Sequence, residues 1–378
     1  MSPKPMPSLS IKLLGAVLAL GAWTLPAQAQ IKIGQTAGFS GPVAAGVKET
    51  SEGARLYLDA VNAQGGVGGQ KIELITLDDK FDPKLSAVNA KQLIEQRGVL
   101  ALFLSRGTPQ TEALFPLLAQ HKLALVAPSS GAMLLHKPVN PYVFNVRATY
   151  QREAESAVQH LVSRGVQRVA LVQVDDSFGD DAAAGVLRGL QAARLKPSVH
   201  LKYARTQPQM APLMKQVAQA DAQALILIGA AEPVAEGAKA LRAAGSTAQL
   251  LTLSNNATAG FIRLMGPQAR GVIVSQAFPA ERAINLALVR EAQALAKARK
   301  QELSPGMLEG FTAAKVLVEG LKKAAKDKAL DRAGLVRALD SLGKLDLGGM
   351  ELGYSPADHT GLDYADMSII GPDGKFLR

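Results

Sequence analysis

The sequence predicts an α/β fold of two lobes with parallel central sheets, and three observations carry that prediction. Short apolar runs rich in Val, Ile and Leu alternate with amphipathic helical stretches, the rhythm of parallel strands covered by helices. That rhythm runs once to about residue 127 and restarts near residue 150, giving two halves alike in element order without a strict repeat. No Pro/Ser-rich stretch separates the halves, so short crossovers rather than a flexible tether join them.

Residues 1 to 29 read as a secretory signal. Lys4 and Lys12 precede an apolar run from Leu13 through Leu25, Pro26 breaks any helix, and Ala27-Gln28-Ala29 supplies the small residues of a cleavage site before Gln30. The run is shorter than the roughly 20 apolar residues that span a bilayer, although a retained anchor is the alternative reading. A lipobox needs cysteine, and the chain has none. After residue 30 nothing is long and apolar enough to be a membrane segment. The expectation is a periplasmic protein, exported by a cleaved leader.

The first series opens with a strand over Ile31 to Gly34, a helix over about 43 to 63, a strand over 71 to 77, and a helix over about 83 to 97. A buried strand over 99 to 104, a helix over about 110 to 120 and a strand over 123 to 127 complete it. The second series has helices near 153 to 163, 182 to 193 and 212 to 219, with strands at 168 to 174, 199 to 203, 224 to 228, 250 to 253 and 271 to 275. Two long helices follow, about 283 to 300 and 307 to 326, then a short one near 331 to 341 and a β-rich tail with Gly, Pro and Asp turns. Gly65 to Gly69 follows a helix and precedes a strand, the wrong order for a phosphate loop; it reads as a helix C-cap and turn.

Composition removes whole classes of function. Without cysteine there is no disulfide, thiolate metal site, iron–sulfur cluster or cysteine nucleophile. The formal charge of +10 is spread among Asp and Glu, and the one dense basic cluster, Lys322 to Lys328, reads as a solvated helix end that suits the helix dipole. No nucleic-acid partner is expected. The five histidines form no metal spacing, Gly-x-Ser-x-Gly is absent, and Asp78-Asp79 and Asp175-Asp176 read as caps and hinge-facing polar groups rather than acid/base pairs. Aromatics, 4% of the chain, exclude a sugar-type platform of many stacked rings. The expectation is no enzyme, no cofactor and no metal.

What remains is chemistry at strand ends, where open parallel sheets bind their ligands. Five ends are polar or glycine-rich: Gln35 to Pro42, Ser105 to Thr111, Pro128 to Gly131, Asp175 to Gly179, and Ser254 to Asn256. Their hydroxyls, amides and one basic group, Arg106, are an inventory for holding a small carboxylate. For any single loop, capping and turn roles are the favoured reading; five on one edge favour a ligand.

These residues also carry a family resemblance across the whole mature chain. Ile31 to Gly34 with Phe39-Ser40-Gly41-Pro42, Gly53-Ala54 with Asn62 to Gly69, Asp78-Asp79 with Asp82-Pro83, Pro128-Ser129-Ser130, Phe144-Asn145-Val146-Arg147 and Gly271 to Val274 resemble the type I periplasmic binding proteins of the leucine/isoleucine/valine-binding class. The resemblance implies two Rossmann-like lobes joined by a three-crossover hinge. It places 30–147 plus 276–348 in one lobe and 148–275 plus 349–378 in the other. Hinge closure then traps a small solute and the loaded protein, a monomer, docks on the permease subunits of an ABC transporter.

Residue by residue, the family's carboxylate position falls on Gly107 and Thr108, and its next polar position on Ser129, Ser130 and Gly131. The second-lobe aromatic contact falls on Phe178. Three places depart from the family pattern. Gly131 has no hydroxyl where Thr is frequent, Ala231 stands where a ring is common, and Asn255 stands near the acid that pairs with an α-ammonium. Asn255 cannot supply that charge, and burying an unpaired ammonium is costly. Arg106 could pair with a carboxylate, or with Glu112 in a surface ion pair; Tyr150 could add a ring or hydroxyl. The implied ligand is a carboxylate without an amino group, an organic or aromatic acid. A branched-chain amino acid binder and a periplasmic sensor for a regulatory receptor are the alternatives.

Overall fold

The computed structural model describes residues 1–4 and 30–378, so the expected leader lies, from residue 5, outside the described residues. The first series is β1 (Ile31–Ala37), α1 (Ala44–Ala63), β2 (Ile72–Asp78), α2 (Pro83–Glu95), β3 (Ala101–Phe103), α3 (Thr108–Glu112), α4 (Phe115–His121), β4 (Leu125–Val126) and β5 (Val143–Phe144). Its sheet is parallel throughout, in the order β2-β1-β3-β4-β5. The single helix expected over 110 to 120 is two short ones, α3 and α4, each with proline in its first turn. Proline fixes φ and lacks the amide, so it starts a helix more readily than it continues one.

The second series runs α5 (Tyr150–Ser163), β6 (Val169–Val174), α6 (Ser177–Ala192), β7 (Val199–Tyr203), α7 (Met210–Gln219), β8 (Ala224–Ile228), α8 (Ala231–Ala243), β9 (Gln249–Thr252), α9 (Ala259–Met265) and β10 (Ile273–Gln276). After it come α10 (Ala287–Ala298), α11 (Pro305–Lys326), α12 (Arg332–Asp340), the hairpin β11 (Gly343–Asp346) and β12 (Glu351–Tyr354), then β13 (Asp366–Ile370) and β14 (Phe376–Leu377). The second sheet is β14-β13-β10-β9-β8-β6-β7, with β13 and β14 antiparallel. Burial follows sequence: β6, apolar but for Gln173, and β8, an unbroken apolar run, are covered on both faces, whereas β7 alternates and forms the sheet edge. Helices α8 and α9 escape the sequence reading. Pro233 interrupts the pattern of α8, and α9 has only seven residues.

Two large cores separate the lobes. One gathers β1–β5 residues with α1, α10, α11 and α12; the other gathers α5 to β10 with Ile370 and Phe376. The chain passes between them beside Arg147, after β10, and between Leu362 and Asp366. The sequence boundary is placed at 348/349. β12 pairs with β11, and Leu352, Tyr354 and Leu362 pack into the first core, so the chain stays with the first lobe until Leu362. The Tyr354 hydroxyl donates to the Asn145 carbonyl at 2.6 Å, which fastens the late segment to the early one.

Of the acidic pairs, Asp176 is a helix cap, Asp175 is exposed beside Lys202, and Asp78 and Asp79 fasten the turns around them. Asp78 accepts from the amides of Ser40 and Lys80, Asp79 from the hydroxyls of Thr36 and Ser86, and Asp176 caps α6 through the amides of Phe178 and Gly179. At Gly66 the amide returns to the Val61 carbonyl, φ is +76°, and a Cβ would lie 2.0 Å from the Gln70 carbonyl oxygen. Only glycine fits that turn.

Candidate functional site

The carboxyl ends of both sheets face a cavity of about 290 Å³ between the lobes. The first lobe contributes Pro42, Val43, Phe81, Arg106, Gly107 and Thr108. The second contributes Tyr150, Val174, Phe178, Tyr203, Ala230 and Asn255, together with Arg205, Gln207 and Pro208 from the loop after β7. Glu232 and Glu236, both solvent-exposed, stand at the rim on α8. Six of the residues singled out in the sequence therefore meet at one cavity: Arg106, Gly107, Thr108, Tyr150, Phe178 and Asn255.

The others do not line it. Ser129 and Ser130 are buried behind the wall, their hydroxyls already engaged. Ser129 Oγ donates to Glu309 Oε1 at 2.6 Å and accepts from Arg106 Nη1 at 2.8 Å; Ser130 Oγ shares a 2.8 Å hydrogen bond with Thr108 Oγ1. Gly131 is a packing position, because a Cβ there would meet the Ala148 carbonyl at 2.5 Å. Ala231 lines a separate space of about 180 Å³ beneath α1 and α9, which shares Arg106 and Asn255 with the main cavity.

Arg106 carries the charge of the floor. It is 6% exposed, which overturns the alternative of a surface pair with Glu112. Its Nη2 donates to the Asn255 carbonyl at 2.6 Å, across the cleft. Both recorded partners are neutral, and among the described residues no carboxylate lies within ion-pair distance of it. The other buried cation is paired: Arg147 Nη2 donates to Glu153 Oε1 at 2.6 Å, and Glu309 lies 3.8 Å from its Nη1. Burial works against the Arg147 charge, but Tyr150, Glu153 and Glu309 outweigh it and hold the pKa above its usual value. Glu153 also accepts from Ser275 Oγ and the Ser254 amide, joining two crossovers and the cleft floor in one buried network.

Aromatic rings build the rest. Tyr150 and Phe178 meet edge to face with centroids 4.8 Å apart, and the Arg147 guanidinium lies 4.6 Å from the Tyr150 ring centre. Burial raises the pKa of Tyr150 and of Tyr203, so both phenols stay protonated. Across the cleft, Arg205 sits 4.7 Å over the Phe81 ring while its Nε donates to Asp176 at 2.7 Å. Sequence reasoning missed Phe81, Tyr203, Arg205, Gln207 and Pro208. The strand-end rule would have found them had it been extended to the ends of β2 and β7.

The family model described as periplasmic binding protein matches residues 30–369. The chain belongs to the periplasmic binding protein family. Within that family it is of type I, in the leucine/isoleucine/valine-binding class. It is 21% identical to the Leu/Ile/Val-binding protein of Escherichia coli over 265 residues, 70% of this chain and 72% of that protein. A substrate-binding periplasmic protein from Ralstonia solanacearum superposes with a TM-score of 0.84 at 31% identity, covering 92% of this chain and 99% of that one. A possible leucine/isoleucine/valine-binding protein from Rhodopirellula baltica superposes with a TM-score of 0.87 at 27% identity, covering 94% and 98%. These periplasmic binding proteins share the two-lobed architecture, and no described helix of this one is long and apolar enough to cross a membrane.

Proposed function

We propose that this protein captures a small organic acid lacking an α-ammonium group in the inter-lobe cavity, and delivers it to the permease of an ABC importer. One observation carries the reading: Arg106 is a buried cation at the cavity floor with neutral partners only. A buried charge without a counter-ion is unfavourable, and a ligand carboxylate relieves that cost with charge-assisted hydrogen bonds. Phe81, Tyr150, Phe178 and Val43 offer the apolar body of such an acid a dry wall. An α-ammonium would find at Asn255 a neutral amide oxygen and no counter-charge, and among the described residues the acids lining the cavity, Glu232 and Glu236, are at the solvent-exposed rim.

A thermal-shift panel of benzoate, hydroxybenzoates, short aliphatic acids and leucine tests this. A true ligand stabilises by RT ln(1 + [L]/Kd), so the organic acids should raise Tm with concentration and leucine should not. The inverse result, leucine alone raising Tm, establishes the second reading, a branched-chain amino acid binder, which the likeness to the Escherichia coli protein favours.

A further inference from the structure

Outside the cavity, a second set of contacts joins the lobes. Glu49, on α1 of the first lobe, is 8% exposed and lines neither cleft space. Its Oε1 accepts from the Gly260 amide at 2.6 Å and its Oε2 from the Ala259 amide at 3.0 Å, both in the second lobe. The Ser304 hydroxyl, from its own lobe, donates to Oε2 at 2.9 Å and so aims the carboxylate. Small residues make the approach possible. A Cβ on Gly260 would lie 2.4 Å from Ala45 Cβ, and one on Gly306 would lie 3.2 Å from the Thr258 methyl.

We propose that Glu49 is a closing latch that holds the second lobe against α1 independently of what fills the cavity. Cleft closure exchanges the solvation of this carboxylate and two amides for two hydrogen bonds to a charged acceptor, the strong class. Glu49 is thus a positioning residue: it sets how often the binding-competent state is populated, and apparent affinity scales with that population. The latch asks nothing of the solute, so it stands or falls separately from the identity of the ligand.

The absence of native cysteine allows a direct test. Lys84→Cys and Lys239→Cys place spin labels at exposed sites, one on each lobe, and double electron–electron resonance reads the inter-lobe distance without added solute. With Glu49 intact, a short-distance closed population is expected. Glu49→Gln keeps the shape but removes the charge, and should lower the closed-to-open ratio by about tenfold. Gly260→Ala attacks the same seam from the other lobe and should also favour the open form, which covers the case of a Glu49 variant that folds poorly. Distance distributions unchanged in both variants overturn the proposal, as does a native protein with no closed population under these conditions.

Discussion

The floor and the outer wall of the cleft are built on different principles. The floor runs through Arg106, Ser129, Glu309, Arg147 and Glu153, a buried chain linked by hydrogen bonds and ion pairs between charged and polar side chains. The outer wall of Tyr203, Arg205, Gln207 and Pro208, facing Phe81, relies on ring faces and one partly exposed ion pair with Asp176. Buried polar networks are costly to disturb, whereas apolar surfaces accept substitutions of similar volume. Under the proposed function, the floor would set what kind of group is bound, and the wall the size of what is attached to it.

Breaking the floor should give the largest effects. Glu153→Ala strands Arg147 without its closest anion and should destabilise the fold by about 3–5 kcal/mol in chemical denaturation. A loss below 1 kcal/mol would put the network on a par with the wall. The floor also predicts a pH dependence. His136 is buried, with neither ring nitrogen hydrogen-bonded, and desolvation, helped by Arg147, lowers its pKa from 6.5 to about 4. The unfolded chain then binds the extra proton first, so stability is full above pH 6.5 and falls as pH drops towards 4. The total is about 3 kcal/mol. Subtracting the denaturation curves of His136→Phe should isolate this slope; parallel curves for both proteins would remove His136 as its source.

Arg106→Met should weaken the acid with the strongest thermal shift by about a hundredfold in calorimetric titration, with Tm of the ligand-free protein little changed. An affinity within threefold of native would move carboxylate recognition to the wall. Smallest is Phe81→Leu, which removes the face beneath Arg205 and should cost about threefold in affinity. A loss as large as that of Arg106→Met would erase the distinction between the two regions.

Legibility in the sequence divides along the same line. Hydrophobic periodicity gives β6, β8 and α11 almost to the residue, because buried strands and long amphipathic helices obey local rules. It is silent on long-range fastening, since nothing local says that Tyr354 will hydrogen-bond to Asn145, 209 residues away. At the site, Arg106 and Phe178 are visible as strand-end residues. That Ser129 and Ser130 turn their hydroxyls inward is not, because it depends on Glu309 and Thr108 arriving from elsewhere in the chain. Low aromatic content misleads in a similar way: two Phe and two Tyr collect at one cavity, and composition does not record where rings gather.

The loop between β7 and α7 bears on how such a protein diversifies. Arg205, Gln207 and Pro208 project from it onto the cavity, yet none belongs to either hydrophobic core, and β7 is a sheet-edge strand. Exchanging that short segment would redraw the outer half of the ligand's surroundings while leaving both cores, the hinge network and Arg106 in place. In this architecture the substrate repertoire can drift through one replaceable strip of surface while the foldable scaffold is inherited unchanged.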